Sequence, residues 1–208
     1  MERLKTGDIL LFSELPREFC MGFLDCCIKC CTFSKYSHSA IVIVNPPWAP
    51  DCKGIFVWES SYHGTQDPQD NKIKFGVQLT PIEFYTEHYP GKVDIYKRTG
   101  VSIDDKILCD IHKDVYCHKY DTRVKDWCGA LFKKEIKRQT EVFTCSAFVS
   151  YILTRINVLD SQTPWTIISA AELSSSNNSI LKWNTPFGPD TFLGRYSVTH
   201  AHNNYTEL

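Results

Sequence analysis

The chain has 208 residues, of which 43% are hydrophobic and 13% aromatic, and its net charge is -1. This composition is typical of a globular protein and excludes a disordered or fibrous one. With 23 basic and 24 acidic residues and no long basic run, the sequence does not indicate a nucleic-acid-binding protein. One domain covering residues 1–208 is expected, because a chain of this length can bury about 70% of its unfolded surface.

The sequence predicts a cytoplasmic protein without a transmembrane segment. Residues 1–8 lack the apolar core of a signal peptide, and no run reaches the roughly 18 apolar residues of a membrane span. The ten cysteines are therefore expected to be free thiols rather than a disulfide framework. Peripheral contact with a membrane stays open, and so does the oligomeric state.

Two elements are predicted before the first histidine. Residues 6–12 combine a turn at Gly7 and Asp8 with a short apolar run, which indicates a buried strand. Residues 17–33 place Phe19, Phe23 and several cysteines at helical spacing. This second segment is expected to be a helix that is mostly buried or lines a cleft.

A cluster of cysteines at positions 26–31 belongs to this predicted helix. Cys27 and Cys30 have the two-residue gap of a zinc knuckle, but a knuckle needs a second ligand pair and the chain has no second Cys-x-x-Cys. Cysteine acting as a small hydrophobic residue explains the cluster, because it continues the apolar stripes of the helix. We predict no metal and no cofactor, and keep zinc and reversible lipid attachment as alternatives.

Residues 37–44 and 54–61 predict two strands, since both are rich in β-branched and aromatic residues. His38 stands at the start of the first strand and Glu59 near the end of the second. Because side chains alternate across a sheet, Glu59 shares a face with Val57 and Ile55. An acidic side chain on a buried face needs a partner.

The middle of the chain alternates between strands and helices. Alternating polarity predicts an edge strand at 72–79 and another strand at 92–98. Thr80 is the expected cap of a short helix that has Pro81 at its first position. A second helix is expected to open at residues 102–105. Its inward side chains are expected to be Ile103, Ile107, Ile111 and Val115.

Towards the C-terminus the pattern predicts an amphipathic helix at residues 127–139 and a short helix around Pro164, Ser169 and Glu172. Residues 174–208 are rich in turn formers and are expected to be an irregular C-terminal extension. Helices and strands are both predicted along the whole chain, so the expected fold class is α+β.

A helix that starts at Cys145 is the most informative element. Thr144 is its expected N-cap, and Ala147, Phe148 and Tyr151 recur at helical spacing. Cys145 therefore falls in the first turn, where free N–H groups and the helix dipole stabilise a thiolate. The simpler alternative is a small apolar residue that fills a helix end.

His38, Glu59 and Cys145 form a candidate catalytic group. A thiol at neutral pH needs a base within hydrogen-bond reach, and the base needs a polar group that fixes its tautomer. His38 can be the base and Glu59 the orienting acid, if the sheet packs on the helix. A structural role for His38 is the alternative, since seven histidines and ten cysteines offer many accidental pairings.

Four motifs in this order resemble the circularly permuted papain-like (NlpC-type) thiol enzymes, in the amidase-like branch with bacterial and poxvirus members. They read TGDILLF at residues 6–12, SHSAIV at 37–42, WES at 58–60 and TCSAFV at 144–149. The resemblance covers residues 5–175, and the order histidine, acid, cysteine is the one that permutation produces. The cysteine-rich segment 17–33 lies where relatives vary.

The resemblance implies a central antiparallel sheet packed against the helix that carries the nucleophile. It implies Cys145 as nucleophile, His38 as base and Glu59 as orienting acid. Tyr120 is similar to a tyrosine found upstream of the family's cysteine, and Tyr120 and Ser146 are our candidates for the oxyanion hole or the cleft.

Two functions follow as expectations. The first is a thiol hydrolase of the amidase or peptidase kind, or an acyltransferase, that acts on an amide, ester or thioester through an acyl-enzyme on Cys145. The acyl group would come from a small peptide or a lipid. The second is a catalytically silent binding or structural protein on the same scaffold, a virion protein for example. The location would be the host cytoplasm or the virion if the chain is viral.

Overall fold

The computed structural model describes residues 4–13, 36–89, 91–98, 102–122, 141–174 and 192–198. The helices predicted at 17–33 and 127–139 lie outside the described residues, and so does the cysteine cluster at 26–31. Strands and helices both occur in the described ranges, so the expected α+β class is confirmed.

An eight-stranded sheet forms the centre of the described structure. Its strands are β1 (Ile9–Ser13), β2 (Tyr36–Val44), β3 (Ile55–Ser61), β6 (Gly76–Pro81), β7 (Lys92–Arg98), β8 (Lys119–Tyr120), β9 (Val142–Phe143) and β10 (Phe192–Val198). They lie side by side in the order β10-β7-β1-β2-β3-β6-β8-β9. Neighbouring strands are antiparallel, except that β8 and β9 are parallel. A separate hairpin is formed by β4 (Gln66–Asp67) and β5 (Lys72–Ile73).

Three helices accompany the sheet in the described ranges. They are α1 (Ile82–His88), α2 (Asp105–Val115) and α3 (Cys145–Arg155), and a 3₁₀ turn follows at Trp165–Ile167. Helix α3 packs on β2 and β3, where the Phe148 ring lies edge-on to Trp58 with 5.3 Å between centroids. Residues 145–153 are all buried, because Trp165 also covers the side of α3 that carries Tyr151. The predicted apolar stripe thus extends around the whole helix.

The two faces of the sheet carry separate apolar clusters. Ile41 and Trp58 belong to the cluster that includes α3, whereas Val42 and Val57 belong to the cluster that includes Tyr85 of α1. Strands buried on both faces appear in the sequence as continuous apolar runs. For this reason residues 9–12, 40–43 and 56–58 could be recognised as strands.

The Gly7-Asp8 turn ties the start of β1 to the end of β7. Gly7 has φ +96°, which a side chain rarely adopts, and a Cβ there would lie 2.7 Å from Arg98 Cδ. Asp8 is buried, and its carboxylate accepts from the backbone N–H of Lys5 (2.9 Å), from that of Arg98 (2.9 Å) and from Lys97 Nζ (3.2 Å). The predicted turn is confirmed, and its aspartate is a structural acceptor.

The edge strand predicted at 72–79 is wrong. These residues divide into β5 and β6, and β6 lies inside the sheet between β3 and β8. Lys74 folds back to bind Asp67 (2.7 Å) and Asp70 (2.9 Å), which separates the two strands. Gly76 then allows β8 to approach, since a Cβ there would lie 2.1 Å from the His118 carbonyl oxygen.

Two helix starts differ in detail from the prediction. Helix α1 has Pro81 at its N-cap position and no side-chain cap, because the Thr80 hydroxyl donates elsewhere. Helix α2 begins at Asp105, where Asp104 accepts from the Lys106 N–H. In consequence Leu108 is buried, whereas Ile107, expected to point inward, is 38% exposed.

The C-terminal part departs from the prediction as well. The short helix expected around residues 164–172 is a 3₁₀ turn at Trp165–Ile167, followed by a turn in which Glu172 accepts from Ser169 N–H and Oγ. Within the range 174–208, expected to be irregular, the main chain of β10 pairs antiparallel with β7. Pairing along a sheet edge needs no strong local pattern, and this explains why the strand was missed.

Candidate active site

The candidate site lies where β2 and β3 separate. Their ladder runs from the pair Val44–Ile55 to the pair Ile41–Trp58. Beyond that pair, β2 continues along β1 and β3 continues along β6. We call this opening, between residues 36–40 of β2 and 59–61 of β3, the fork. It leaves the Ser39 N–H of β2 and the Ser60 side chain of β3 to bind Cys145 and the Phe143 carbonyl oxygen.

The segment that leads into α3 lies at the fork. Ser60 Oγ donates to the Phe143 carbonyl oxygen at 2.8 Å, which ties the end of β9 to β3 although β9 pairs with β8 at the sheet edge. Thr144 is the N-cap, as predicted, and its Oγ1 accepts from the Ala147 N–H at 3.3 Å. Cys145 therefore opens the helix in the fork, next to both strands.

Cys145 is buried and has polar partners on three sides. His38 forms a side-chain hydrogen bond with it, and the backbone N–H groups of Ser39 and Ser146 donate to its sulfur. Burial alone would raise the pKa of Cys145, but His38 and the two N–H groups lower it below the usual value. Cys52, also buried, shows the opposite: burial and nearby Asp67 and Asp51 raise its pKa.

His38 connects the thiol with the acid. Its Nε2–H donates to Glu59 Oε2 at 2.5 Å, so Nδ1 is the ring nitrogen left for Cys145. Phe12, its register partner on β1, packs against the ring with 5.1 Å between centroids. Burial alone would lower the pKa of His38, but the hydrogen bonds with Cys145 and Glu59 raise it to about 10. An imidazolium beside a thiolate is therefore the favoured state.

Glu59 is a fully buried carboxylate with 0% exposure. Besides His38, its donors are Thr80 Oγ1 (2.7 Å), Tyr85 OH (2.7 Å) and His63 Nε2 (3.0 Å). Burial would raise the pKa of Glu59, but His63 and His38 hold it well below its usual range. Four donors occupy the roughly four lone-pair sites of a carboxylate. A proton taken from Cys145 therefore stays on His38.

Sequence reasoning missed three of these four donors. Thr80 matched a helix cap, Tyr85 lies within α1, and His63 follows β3 in a loop without a local pattern. One signal was present, because Gln78 and Thr80 alternate with apolar residues on β6 and share a face with Glu59. That polar row next to a buried acid could have identified Thr80.

Ser146 and Tyr120, the candidates for the oxyanion hole or the cleft, lie in different places. Ser146 contributes its backbone N–H to Cys145, as described above. Tyr120 pairs with Phe143, two residues before Cys145, and its ring stacks on Phe75 with 5.3 Å between centroids and 7° between planes. The structure thus brings His38, Glu59, Cys145 and the Ser146 backbone together. The role of Tyr120 in an oxyanion hole stays a prediction.

Within the described ranges, no three His, Cys, Asp or Glu side chains are grouped as metal ligands would be. The helices described here include none with the length and apolar character needed to cross a membrane. Cys52, Cys109, Cys117 and Cys145, the cysteines of the described ranges, are free thiols.

The chain matches no protein-family model. A search of curated proteins likewise finds no match. The function is therefore argued from the geometry of His38, Glu59 and Cys145.

Proposed function

We propose that this protein is a cysteine-dependent hydrolase or acyltransferase that forms an acyl-enzyme on Cys145. The observation that carries the proposal is one imidazole, His38, hydrogen-bonded both to a thiol at a helix N-terminus and to a buried carboxylate. A nucleophile, a base and a group that orients the base are the three parts that covalent acyl transfer needs.

Acylation starts from the thiolate and the imidazolium. The Cys145 sulfur attacks the carbonyl carbon of an amide, ester or thioester, and the carbonyl electron pair moves onto its oxygen. Backbone N–H groups at the start of α3 stabilise this oxyanion, and each such donor contributes ~2.7 to 4 kcal/mol to the transition state. When the C–N, C–O or C–S bond breaks, His38 gives its proton to the leaving group.

Deacylation reverses these roles. Neutral His38 takes a proton from the second substrate, whose oxygen, nitrogen or sulfur attacks the thioester carbonyl. Cys145 leaves as a thiolate, and the imidazolium is restored. If the second substrate is water, the enzyme is a hydrolase; if it is another nucleophile, the enzyme is an acyltransferase. Glu59 keeps the His38 ring in place and compensates its charge in both steps.

The proposal includes the permuted papain-like fold. An antiparallel sheet packed on the nucleophile helix, with the histidine on a strand that adjoins the helix start, supports it. The order of His38, Glu59 and Cys145 along the chain supports it as well. The proposal also includes a small peptide or lipid acyl substrate and a location in the cytoplasm, or in the virion if the chain is viral.

Mass spectrometry with a panel of acyl donors tests the function. The purified protein is incubated with an aryl amide, an aryl ester and a thioester of both a peptide and a fatty acid. We expect a mass increase on Cys145 with at least one donor, and none in Cys145→Ala. Cys117→Ala is the matched control, because Cys117 is an exposed free thiol, and it should acylate like the wild type. If no donor acylates the fully reduced protein, the result would favour the catalytically silent scaffold.

A further inference from the structure

Two histidines share the buried carboxylate of Glu59. His38 binds Oε2 at 2.5 Å, and His63 binds Oε1 through its Nε2 at 3.0 Å. Nε2 of His63 also lies 2.8 Å from Tyr85 OH and 2.9 Å from Ser61 Oγ. The mechanism proposed above uses only the first histidine. The second has no assigned role, although it touches the acid as directly.

The contact with Glu59 favours the tautomer of His63 that has its proton on Nε2. A nitrogen lone pair facing an ionised carboxylate oxygen at 3.0 Å would be repelled, so we assign the hydrogen to Nε2, which donates it to Glu59. Ser61 Oγ is in turn held by Gln78 Nε2 at 2.8 Å. The ring also packs against Phe84, with 4.9 Å between centroids. His63 is thus oriented from three sides towards Oε1.

We infer that His63 is a positioning residue that acts on Cys145 through Glu59, by donating to Oε1 and thereby keeping an ionised Oε2 on His38. The inference rests on the proposed function, because it assigns His63 to that same site. A carboxylate with no exposure to water depends on its donors to stay charged. If Glu59 loses charge or alignment, the His38 imidazolium and the Cys145 thiolate lose their stabilisation.

The groups around His63 support its action on Cys145 through Glu59. Glu59 on β3 and Tyr85 on α1 are the titratable groups that contact it in the described residues, and His38 and Cys145 lie one step further. Burial would raise the pKa of Glu59, and the electrostatic interaction with His63, together with the hydrogen bonds from His38 and His63, lowers it. Loss of His63 should therefore raise the pKa of Glu59.

The pH dependence of Cys145 alkylation tests the inference without a known substrate. His63→Phe keeps a ring against Phe84 but removes the donor, whereas His63→Gln keeps an N–H donor at similar reach. We expect His63→Phe to lower the alkylation rate at mildly acidic pH roughly tenfold, with the profile moved about one unit upward. His63→Gln should lose less than His63→Phe, because it restores a hydrogen bond to the carboxylate but not the electrostatic interaction with an imidazole.

His88→Gln is the matched control, since His88 is exposed and its ring stacks on Phe84 of the same helix. It should leave the profile unchanged. Should His63→Phe fail to fold, as judged by circular dichroism, His63→Leu serves for the same comparison. In a Glu59→Gln background the loss of His63 should cost no more than about twofold, because its effect passes through the acid.

Three results would overturn the inference. They are an unshifted profile in His63→Phe, a profile shifted to lower pH, or full additivity with Glu59→Gln. A shift to lower pH would mean that His63 competes with His38 for the carboxylate. Failure of the proposed function looks different, because wild-type Cys145 would then form no acyl adduct with any donor, whatever its alkylation profile.

Discussion

Replacement of Glu59 by glutamine should weaken the site without abolishing it. The hydroxyls of Thr80 and Tyr85 can rotate to accept from the new amide, so its carbonyl oxygen can still face His38. What is lost is the charge at the 2.5 Å hydrogen bond. Hydrogen bonds to charged groups contribute about 1.5–3 kcal/mol and neutral ones about 0.5–1.5. The difference of about 1–1.5 kcal/mol corresponds to roughly a five- to thirteenfold loss in rate.

The assay is the rate of Cys145 alkylation as a function of pH, with the labelled residue identified by mass spectrometry. In the wild type the lowered pKa of Cys145 and the pKa of about 10 for His38 keep the ion pair over the range between them. The reactive form should therefore appear well below pH 8.5, the approximate pKa of a free cysteine. In Glu59→Gln the profile should move upward.

His38→Ala is the reference for complete loss of the base, which is expected to reduce turnover by more than about a hundredfold. Folding of both variants is checked by circular dichroism. Equal losses in Glu59→Gln and His38→Ala would refute an orienting role for the acid. Full turnover by His38→Ala would refute the mechanism itself.

Three further predictions follow from individual residues. At mildly acidic pH, limited alkylation should label Cys145 before Cys52, whose pKa is raised by burial and two aspartates; faster labelling of any other thiol would contradict the assignment. Gly76→Ala should destabilise the fold by more than about 2 kcal/mol, because its Cβ would meet backbone at 2.1 Å, whereas Gly54→Ala meets no atom within 4 Å and should cost about 1 kcal/mol for its positive φ; urea unfolding distinguishes the two, and equal losses would show that β8 moves aside. Burial and nearby Lys74 lower the pKa of His112 from 6.5 to about 4, so between these pH values the unfolded chain binds a proton that the folded chain does not. Stability should therefore fall as the pH falls from about 6.5 to about 4, by on the order of 1–2 kcal/mol after solvent screening. Urea midpoints measure this loss, and it should be smaller in His112→Gln.

The sequence predicted best those elements whose own residues specify them. Strands β1, β2 and β3 each contain a continuous apolar run, and Thr144 marks the start of α3 directly. The positions of His38, Glu59 and Cys145 could be proposed because each stands at the end of such an element. Their meeting in one place could be expected only if the sheet packs on the helix.

Features that depend on distant partners were not predictable. Strand β6 is central because β8 pairs with it across more than 30 residues of chain, and no local pattern in residues 76–81 reports that. Thr80 fits a helix cap by its neighbours in sequence, but the buried carboxylate of Glu59 is the stronger attraction for its hydroxyl. Tyr85 and His63 reach the same carboxylate from a helix and a loop, and only the folded chain brings them together.

The position of the fork also determines the stage of folding at which the Cys145 thiol becomes reactive. Cys145 lies more than 100 positions after His38 in the sequence. His38 and Ser39 therefore cannot contact it until the β9–α3 segment has been synthesised and has folded against them. Long-range contacts of this kind form late, because closing a large loop costs entropy before any contact repays it. Until then Cys145 has the chemistry of an ordinary cysteine. Alkylation of the Cys145 thiolate at mildly acidic pH therefore indicates the native fold. Loss of this reactivity would reveal separation of α3 from the fork before the rest of the sheet unfolds.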